Sequence, residues 1–372
     1  MSPNRYRSRA AELLSAADVV IDGGRPWDIQ VRDERLYRRV MAQGSLGLGE
    51  SYMDGWWDCE RLDEFFSRVL RADLDSLIKP LADLPRIIGA RLFNLQKPSR
   101  AFRIGRHHYD IGNDLYRCML DSRMIYSCAY WANAATLDEA QEHKLDLVCR
   151  KLELQPGMRL LDIGCGWGGT ARFAAERYSV SVVGVTVSRE QASLARELCD
   201  GLDIDIRLQD YRSVEGEFDR VLSIGMFEHV GYKNYGSFMD VVRRLLTGDG
   251  LFLLHTIGGS RSVTRTNPWT QRYIFPNSML PSTRQIAQAI EGRFVLEDWH
   301  SFGPDYDKTL MSWYRNFEDH WPQLKRQYDD RFYRMWKYFL LSSAGGFRAR
   351  KTQLWQVVLA PRGLVGGYRA PR

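Results

Sequence analysis

No Cys-x-x-Cys pair occurs in this chain of 372 residues, although it holds six cysteines, and none of them stands at zinc-ligand spacing. A structural zinc module is therefore excluded. No window approaches the ~18 consecutive apolar residues that a spanning helix requires. The opening stretch, MSPNRYRSRAAELLSAADVVIDG, has neither a long apolar core nor a small-residue cleavage site, so no signal peptide is expected. Internal repeats and low-complexity tracts are also missing. These absences lead to the expectation of a cytoplasmic, reduced protein without disulfides. What remains is ordinary globular composition, 44% hydrophobic and 26% charged, with room for one large domain and a small one. The net charge of +6 is a mild basic excess that suits an anionic partner without deciding which one.

Three textures follow one another. Residues 1 to 90 read as a small, mainly helical domain. In RLDEFFSRVLRADLDSLI the apolar residues Leu62, Phe65, Phe66, Val69, Leu70, Leu74 and Ile78 fall on one helix face. Ahead of it, SLGLGESYMDGWWDCE is rich in glycine and aromatics and reads as a structured loop. The next stretch, 85 to 109, carries Arg86, Arg91, Lys97, Arg100, Arg103 and Arg106 with no acidic residue, interleaved with apolar side chains. It fits a solvated basic linker over 91 to 109. It also fits a patch on anionic lipid, where each basic residue near the surface contributes about 1 kcal/mol. Nucleic acid would use the same charges, but no nucleic-acid-binding motif is recognisable, so no such partner is expected.

From about 150 strands and helices alternate. The expected strands are 159–163, 180–185, 205–210, 218–225 and 251–258, and FVLEDWHSF and QLWQVVLA supply two more. SREQASLARELCD and YGSFMDVVRRLLTGDG are helical patterns between them, the second stopping at a glycine. This is the pattern of a doubly wound, Rossmann-like α/β sheet.

The first strand runs into LDIGCGWGG, in which Gly164, Gly166 and Gly169 satisfy G-x-G-x-x-G. Alone this says only that backbone approaches a ligand closely. A dinucleotide site usually has an acidic residue at the end of the second strand. Thr186 stands there instead, which argues against NAD. S-adenosylmethionine fits better: Asp162 ends the first strand, no pyrophosphate has to be cradled, and Asp210, ending the third strand, is placed for an adenine amino group. The fold class expected is thus a class I S-adenosylmethionine-dependent methyltransferase, with the catalytic domain over 110–372.

A fourth strand runs into SIGMFEHVGYKNY, which puts Glu228 beside His229. Glu228 and His255 lie just beyond neighbouring strands at their carboxyl ends, where open α/β sheets bind ligands. His229 reads as support for the loop.

Taken together, LLDIGCGWGG, SVVGVTVSREQ, QDYR, GMFEHVG, LLHTIG and YSCAYW resemble the cyclopropane-fatty-acyl-phospholipid synthases, which are similar to the mycolic acid methyltransferases. GSLGLGESYMDGWWDC and FRARKTQLWQVV look like the bacterial branch that acts on phospholipids. The resemblance covers nearly the whole chain. It implies methyl transfer from S-adenosylmethionine to a cis double bond of a phospholipid acyl chain, then proton loss and ring closure, with bound bicarbonate as base. It maps the bicarbonate ligands onto Cys128, Glu228, His255, Ile257 and Tyr306. It maps cofactor contacts onto Tyr126, Ser127, the loop with Gly164, Cys165, Gly166 and Gly168, the stretch with Thr186, Ser188 and Gln191, and Tyr211 with Arg212. It also implies a homodimer and peripheral contact with unsaturated phospholipid at the inner face of the cytoplasmic membrane. One departure is Ser343, where some relatives carry cysteine, so a thiol there is not required.

The chemistry suits such residues. The carbocation formed on methyl transfer must be kept from water, and aromatic faces favour it by ~0.5–2 kcal/mol per ring. Trp299, Phe302, Tyr306, Trp313, Tyr314, Phe317 and Trp321 cluster in sequence; Trp313, Phe317 and Trp321 share a helix face and read either as core or as lining for an acyl chain. Glu228 can accept from the bicarbonate O–H, while His255, Tyr306 and main-chain N–H groups can donate. Ile257 can offer only its main chain, and the same holds for Cys128. Other readings are methylation of another lipid or a small amine, a lipid-binding protein with a decayed site, and an NAD oxidoreductase.

Overall fold

The computed structural model describes residues 3–74 and 112–372. The basic stretch 85–109, and with it the expected linker 91–109, lies outside the described residues. In chain order the helices are α1 (Pro3–Ser15), α2 (Arg35–Gln43), α3 (Ser45–Met53), α4 (Leu62–Arg71), α5 (Asn113–Met119), α6 (Leu137–Lys151), α7 (Gly169–Tyr178), α8 (Arg189–Leu198), α9 (Tyr235–Leu245), α10 (Pro268–Tyr273), α11 (Thr283–Ile290), α12 (Pro304–Leu324) and α13 (Asp330–Arg348). The strands are β1 (Gln30–Val31), β2 (Trp57–Asp58), β3 (Arg159–Ile163), β4 (Ser181–Thr186), β5 (Ile204–Leu208), β6 (Phe218–Ile224), β7 (Leu246–Gly259), β8 (Val295–Ser301) and β9 (Thr352–Ala360). None of the described helices is long and apolar enough to cross a membrane.

Two compact units result. The first joins the described residues up to Leu74 to Thr264–Pro276 and Tyr306–Thr352. It therefore takes in two segments that the sequence reading groups with 110–372. The reason is the shortage of apolar surface in four short helices. Tyr338 of α13 supplies it, lying edge-on to Phe66 at 5.1 Å and against Trp269 at 4.5 Å. Arg348 ties the same helix to Asp63 and Asp307.

The stretch SLGLGESYMDGWWDCE corrects the loop expectation, because its first half is α3. Its glycines serve close packing rather than turning. A Cβ on Gly47 would meet the carbonyl oxygen of Arg39 at 2.5 Å, and one on Gly49 would meet the Trp269 ring at 2.3 Å. Composition alone does not distinguish these two uses of glycine.

The second unit holds a seven-stranded sheet in the order β5-β4-β3-β6-β7-β9-β8. Strands β5, β4, β3, β6 and β7 pair in parallel, and β8 pairs antiparallel with β9. Parallel strands are covered on both faces and so read as continuous apolar runs. That is why the inner strands β3, β4, β6 and β7 fall close to their expected places, as β5, β8 and β9 also do. Leu161, Val221, Phe252 and Val357 enter one buried cluster, and Leu160, Leu222, Leu253 and Val358 another. Helix α9 differs from expectation: it ends at Leu245, and Gly248 lies inside β7. Leu246 is already extended, paired with Phe218.

Candidate active site

The carboxyl ends of β3, β4 and β5 gather the first group of predicted residues. Asp162, paired with Gly184 on one side and Leu222 on the other, is buried. Its Oδ2 has no hydrogen-bond partner among the described residues. Burial pushes its carboxyl up to about 7, opposed by the charge of Lys144. The loop behind it is held by the N–H groups of Gly164 and Cys165, both donating to the Val185 carbonyl. Gly166 adopts a φ of 56°, and a Cβ there would meet nothing within 4 Å, which leaves space above the loop. Gly168, also in the left-handed region, caps α7; a Cβ on it would strike Cys199 at 2.7 Å. Cys165 turns away into a small cluster with Ala192, Ala195 and Cys199.

Thr186, Ser188 and Gln191 bond one another through side chains and main-chain N–H groups. The Thr186 hydroxyl donates to Gln191 at 3.0 Å, and Ser188 caps α8 by accepting from the Gln191 N–H. Asp210 lies two residues past the end of β5, not in the strand. It accepts from the Arg212 main chain and guanidinium, at 2.6–3.0 Å. Tyr211 packs edge-on to Phe238 at 5.2 Å. Tyr126 meets Tyr116, which in turn meets Trp167 of the glycine loop.

The second group forms around Glu228. Strand β6 ends at Ile224, which pairs with His255 of β7, and the Gly225 N–H donates to the His255 carbonyl. His255 is thus within its strand rather than beyond it, because β7 runs on to Gly259. Glu228 sits in a short 3-10 turn, Phe227–His229, fastened by the Met279 N–H donating to its carbonyl at 2.7 Å. Its Oε1 accepts from the Ile257 N–H at 2.6 Å, while Oε2 has no partner among the described residues. Burial pushes this carboxyl up to about 7, with the Ile257 N–H opposing. Burial holds His255 well below the ordinary histidine range, so its ring is neutral. Its Nδ1 accepts from the Gln356 amide at 3.3 Å, which leaves the proton on Nε2. That Nε2 also lacks a partner among the described residues. Glu228 Oε2, an acceptor, and His255 Nε2, a donor, are thus both buried and both without a partner among the described residues.

Ile257 uses both of its main-chain polar groups within the chain. Its N–H is given to Glu228, and its carbonyl accepts from the Thr256 hydroxyl. Cys128 is wholly buried, with Sγ 3.2 Å from the Ala129 carbonyl. Tyr306 lies in the first unit, its ring 4.6 Å from Phe347 and 5.9 Å from Trp313. Trp313 and Phe317 are core residues of that unit. His229 is half-buried and pushed down to about 4 by desolvation, so it stays neutral in its loop.

Sequence reasoning missed Gln356, Gln141 and Lys144. Gln356 is the one polar residue inside the buried run from Leu354 to Leu359, and that isolation was the available signal. Helix α6, opened by a capping box of Thr136 and Glu139, places Leu137, Gln141, Lys144, Val148 and Lys151 along one buried seam. Gln141 donates to the carbonyls of Ile125 and Ser127, and Lys144 donates to Ser127 Oγ at 3.0 Å. Lys151 is paired with Asp298 at 3.0 Å. Polar residues at helical spacing in an apolar seam were visible, but lysine is so seldom buried that the seam reads as a solvated face.

The sequence matches the mycolic acid cyclopropane synthetase family over residues 96–357. It is 56% identical over 370 residues to the cyclopropane-fatty-acyl-phospholipid synthase of Escherichia coli K12, covering 99% of this chain and 96% of that one. The structure is similar to cyclopropane synthase MmaA2 from Mycobacterium tuberculosis, with TM-score 0.66 and 33% identity, covering 70% of this chain and 98% of that one. It is also similar to mycolic acid cyclopropane synthase CmaA1 complexed with SAH and CTAB, with TM-score 0.65 and 34% identity, covering 69% and 97%.

Proposed function

The chain belongs to the mycolic acid cyclopropane synthetase family and is an S-adenosylmethionine-dependent methyltransferase, and on that premise we propose that it cyclopropanates the cis double bond of unsaturated phospholipid acyl chains, with Glu228 and His255 holding bicarbonate as base. The observation that carries the substrate reading is 56% identity across 99% of the chain to a phospholipid-acting synthase. The bicarbonate reading rests on the unsatisfied Oε2 of Glu228 and Nε2 of His255.

S-adenosylmethionine, when bound, supplies an electrophilic methyl group. The residues that would hold it are the glycine loop, Asp162, Ser127 with Tyr126, and the Tyr211-Arg212 turn. The side chains of Thr186, Ser188 and Gln191 keep the rim of that site in place through their own bonds. An alkene is a weak nucleophile, so the gain comes from holding it in line in a dry pocket. Phe302 stands edge-on 5.9 Å from the His255 ring and 5.4 Å from Tyr130, which supports an aromatic surround on the His255 side. Such faces favour a carbocation over the trapping water. The proton then leaves the transferred carbon and the ring closes. Because the cation is a strong acid, the position of the base matters more than its strength. The Ile257 N–H fixes one oxygen of Glu228 and leaves the other to accept the O–H of the anion.

The resemblance and the acid-free stretch 85–109 support peripheral contact with anionic lipid at the cytoplasmic face of the membrane. The resemblance alone supports a homodimer and a lipid-binding role for residues 1–90. Incubation with isotopically labelled S-adenosylmethionine and unsaturated vesicles, followed by lipid mass spectrometry, tests the activity. Label in a cyclopropane acyl chain is the expected product. Label on a head-group nitrogen or in a methyl-branched chain would contradict it.

A further inference from the structure

Three polar side chains stand in a row across three neighbouring strands. Gln356 of β9 lies between His255 of β7 and His300 of β8. Its amide donates to His255 Nδ1 at 3.3 Å, and in the β8–β9 register it is paired with His300. Gln356 and His255 are buried. An amide is nearly the same shape when turned end for end. Turned, Gln356 would set its oxygen against His255 Nδ1 and draw the proton to that nitrogen. Its Oε1 has no hydrogen-bond partner among the described residues, so no bond at that end holds the amide in its observed sense.

The β8 side of the row supplies the bias. Lys151, wholly buried on α6, donates to Asp298 at 3.0 Å and lies 3.2 Å from His300 Nδ1. Asp298 is also bound by Arg372 at 2.7 Å. Burial pushes the Lys151 ammonium down to about 8, with Asp298 opposing, so it is still charged at pH 7. Burial, with that ammonium beside it, pushes His300 down to about 4, so its ring is neutral. An ammonium can only donate; Nδ1 of His300 therefore accepts, and its proton is on Nε2. Cross-strand partners have Cβ atoms about 4.5–5.5 Å apart. A cation and a ring N–H at that distance favour an amide oxygen on their side and disfavour an amide N–H there. Stability alone gives little reason for the Lys151–Asp298 pair, because a buried ion pair is seldom better than apolar packing.

We propose that Lys151 and His300 are positioning residues: Lys151 holds the His300 proton on Nε2, the two together keep the Gln356 oxygen turned towards β8, and Gln356 thereby keeps the His255 proton on Nε2. This rests on the reading of His255 above as a holder of the base. It assigns a task to a buried lysine and a histidine that the sequence motifs leave unassigned.

Nitrogen-15 NMR of the His255 ring tests it, on the full chain at pH 7, with turnover and S-adenosylhomocysteine affinity measured alongside. Wild type should carry the His255 proton on Nε2 alone. Lys151→Met and His300→Phe should each give a mixture of the two tautomers. Turnover should fall about 3- to 10-fold, the effect of one neutral hydrogen bond, with affinity changed by less than about twofold. Lys151→Arg keeps a cationic donor and should restore the single tautomer. Either variant combined with Gln356→Met should cost no more turnover than Gln356→Met alone, since the residues act through that amide. His300→Phe carries the test if Lys151→Met fails to fold. An unchanged tautomer in His300→Phe, or full additivity with Gln356→Met, would overturn the assignment. Wild-type turnover indifferent to bicarbonate would instead overturn the base reading, a failure that the tautomer measurement does not share.

Discussion

The Ile257 N–H donates to Oε1 of Glu228 at 2.6 Å. A main-chain group of β7 thereby orients a carboxylate that follows β6, and Oε2 is left without a partner among the described residues. The rigidity of the sheet is passed to the Glu228 side chain through that hydrogen bond.

His255 should be just as sensitive to its partner. The Gln356 amide donates to Nδ1 at 3.3 Å and fixes the proton on Nε2. Gln356→Glu offers only acceptors, so it recruits an Nδ1–H and strips Nε2 of its proton. Turnover should fall about tenfold or more, ~1.4 kcal/mol in barrier. Nitrogen-15 NMR of the His255 ring should report the switched tautomer; an unchanged tautomer with unchanged turnover would contradict the role.

Asp162 should make ligand-free stability fall with rising pH. Its folded carboxyl is raised by burial from 3.8 to about 7, so its stabilising contribution is complete below the unfolded value and is lost as pH climbs towards 7. Asp162→Asn removes that dependence. The variant should match wild type near pH 4 and exceed it near pH 8 by on the order of 2–4 kcal/mol. Chemical denaturation at several pH values, without ligand, checks this. The same variant should bind S-adenosylhomocysteine more weakly.

The closely packed α3 should not accept a methyl group. Gly49→Ala drives a Cβ to 2.3 Å from the Trp269 ring. A loss of about 1–3 kcal/mol is expected from overpacking. Urea titration followed by tryptophan fluorescence reads it, and a neutral result would return this stretch to loop-like tolerance.

These cases show where the sequence was legible. The inner strands β3, β4, β6 and β7 could be located because a parallel sheet covered on both faces writes itself as apolar runs between glycines. Asp162 and Glu228 stood out in the sequence because a carboxylate within or shortly after such a run breaks its apolar pattern. The α3 helix was hidden, since glycine for close packing and glycine for a turn look alike. Lys144 and Gln356 were hidden for another reason: their meaning lies in what they pair with, Ser127 and His255, and pairing appears only in three dimensions. The donation from Ile257 to Glu228 joins residues 29 positions apart and has no sequence signature.

Vesicle binding should weaken as salt rises and as anionic lipid is withdrawn. The basis is the acid-free stretch 85–109, whose charges are screened over ~8–10 Å at working ionic strength. Sedimentation with vesicles of defined composition measures it. Binding that ignores both salt and lipid charge would assign the membrane contact to apolar side chains instead.

The central claim is that Glu228 holds the base rather than the cofactor. Glu228→Gln keeps the shape of the side chain but replaces an anionic acceptor with an amide. The direct measurement is turnover of unsaturated phospholipid at several bicarbonate concentrations, with S-adenosylhomocysteine affinity taken on the same samples. The account predicts a drop of at least about tenfold, ~1.4 kcal/mol in barrier, partly recovered by added bicarbonate, with cofactor affinity unchanged. Normal turnover in the variant, or turnover indifferent to bicarbonate in both proteins, would contradict it.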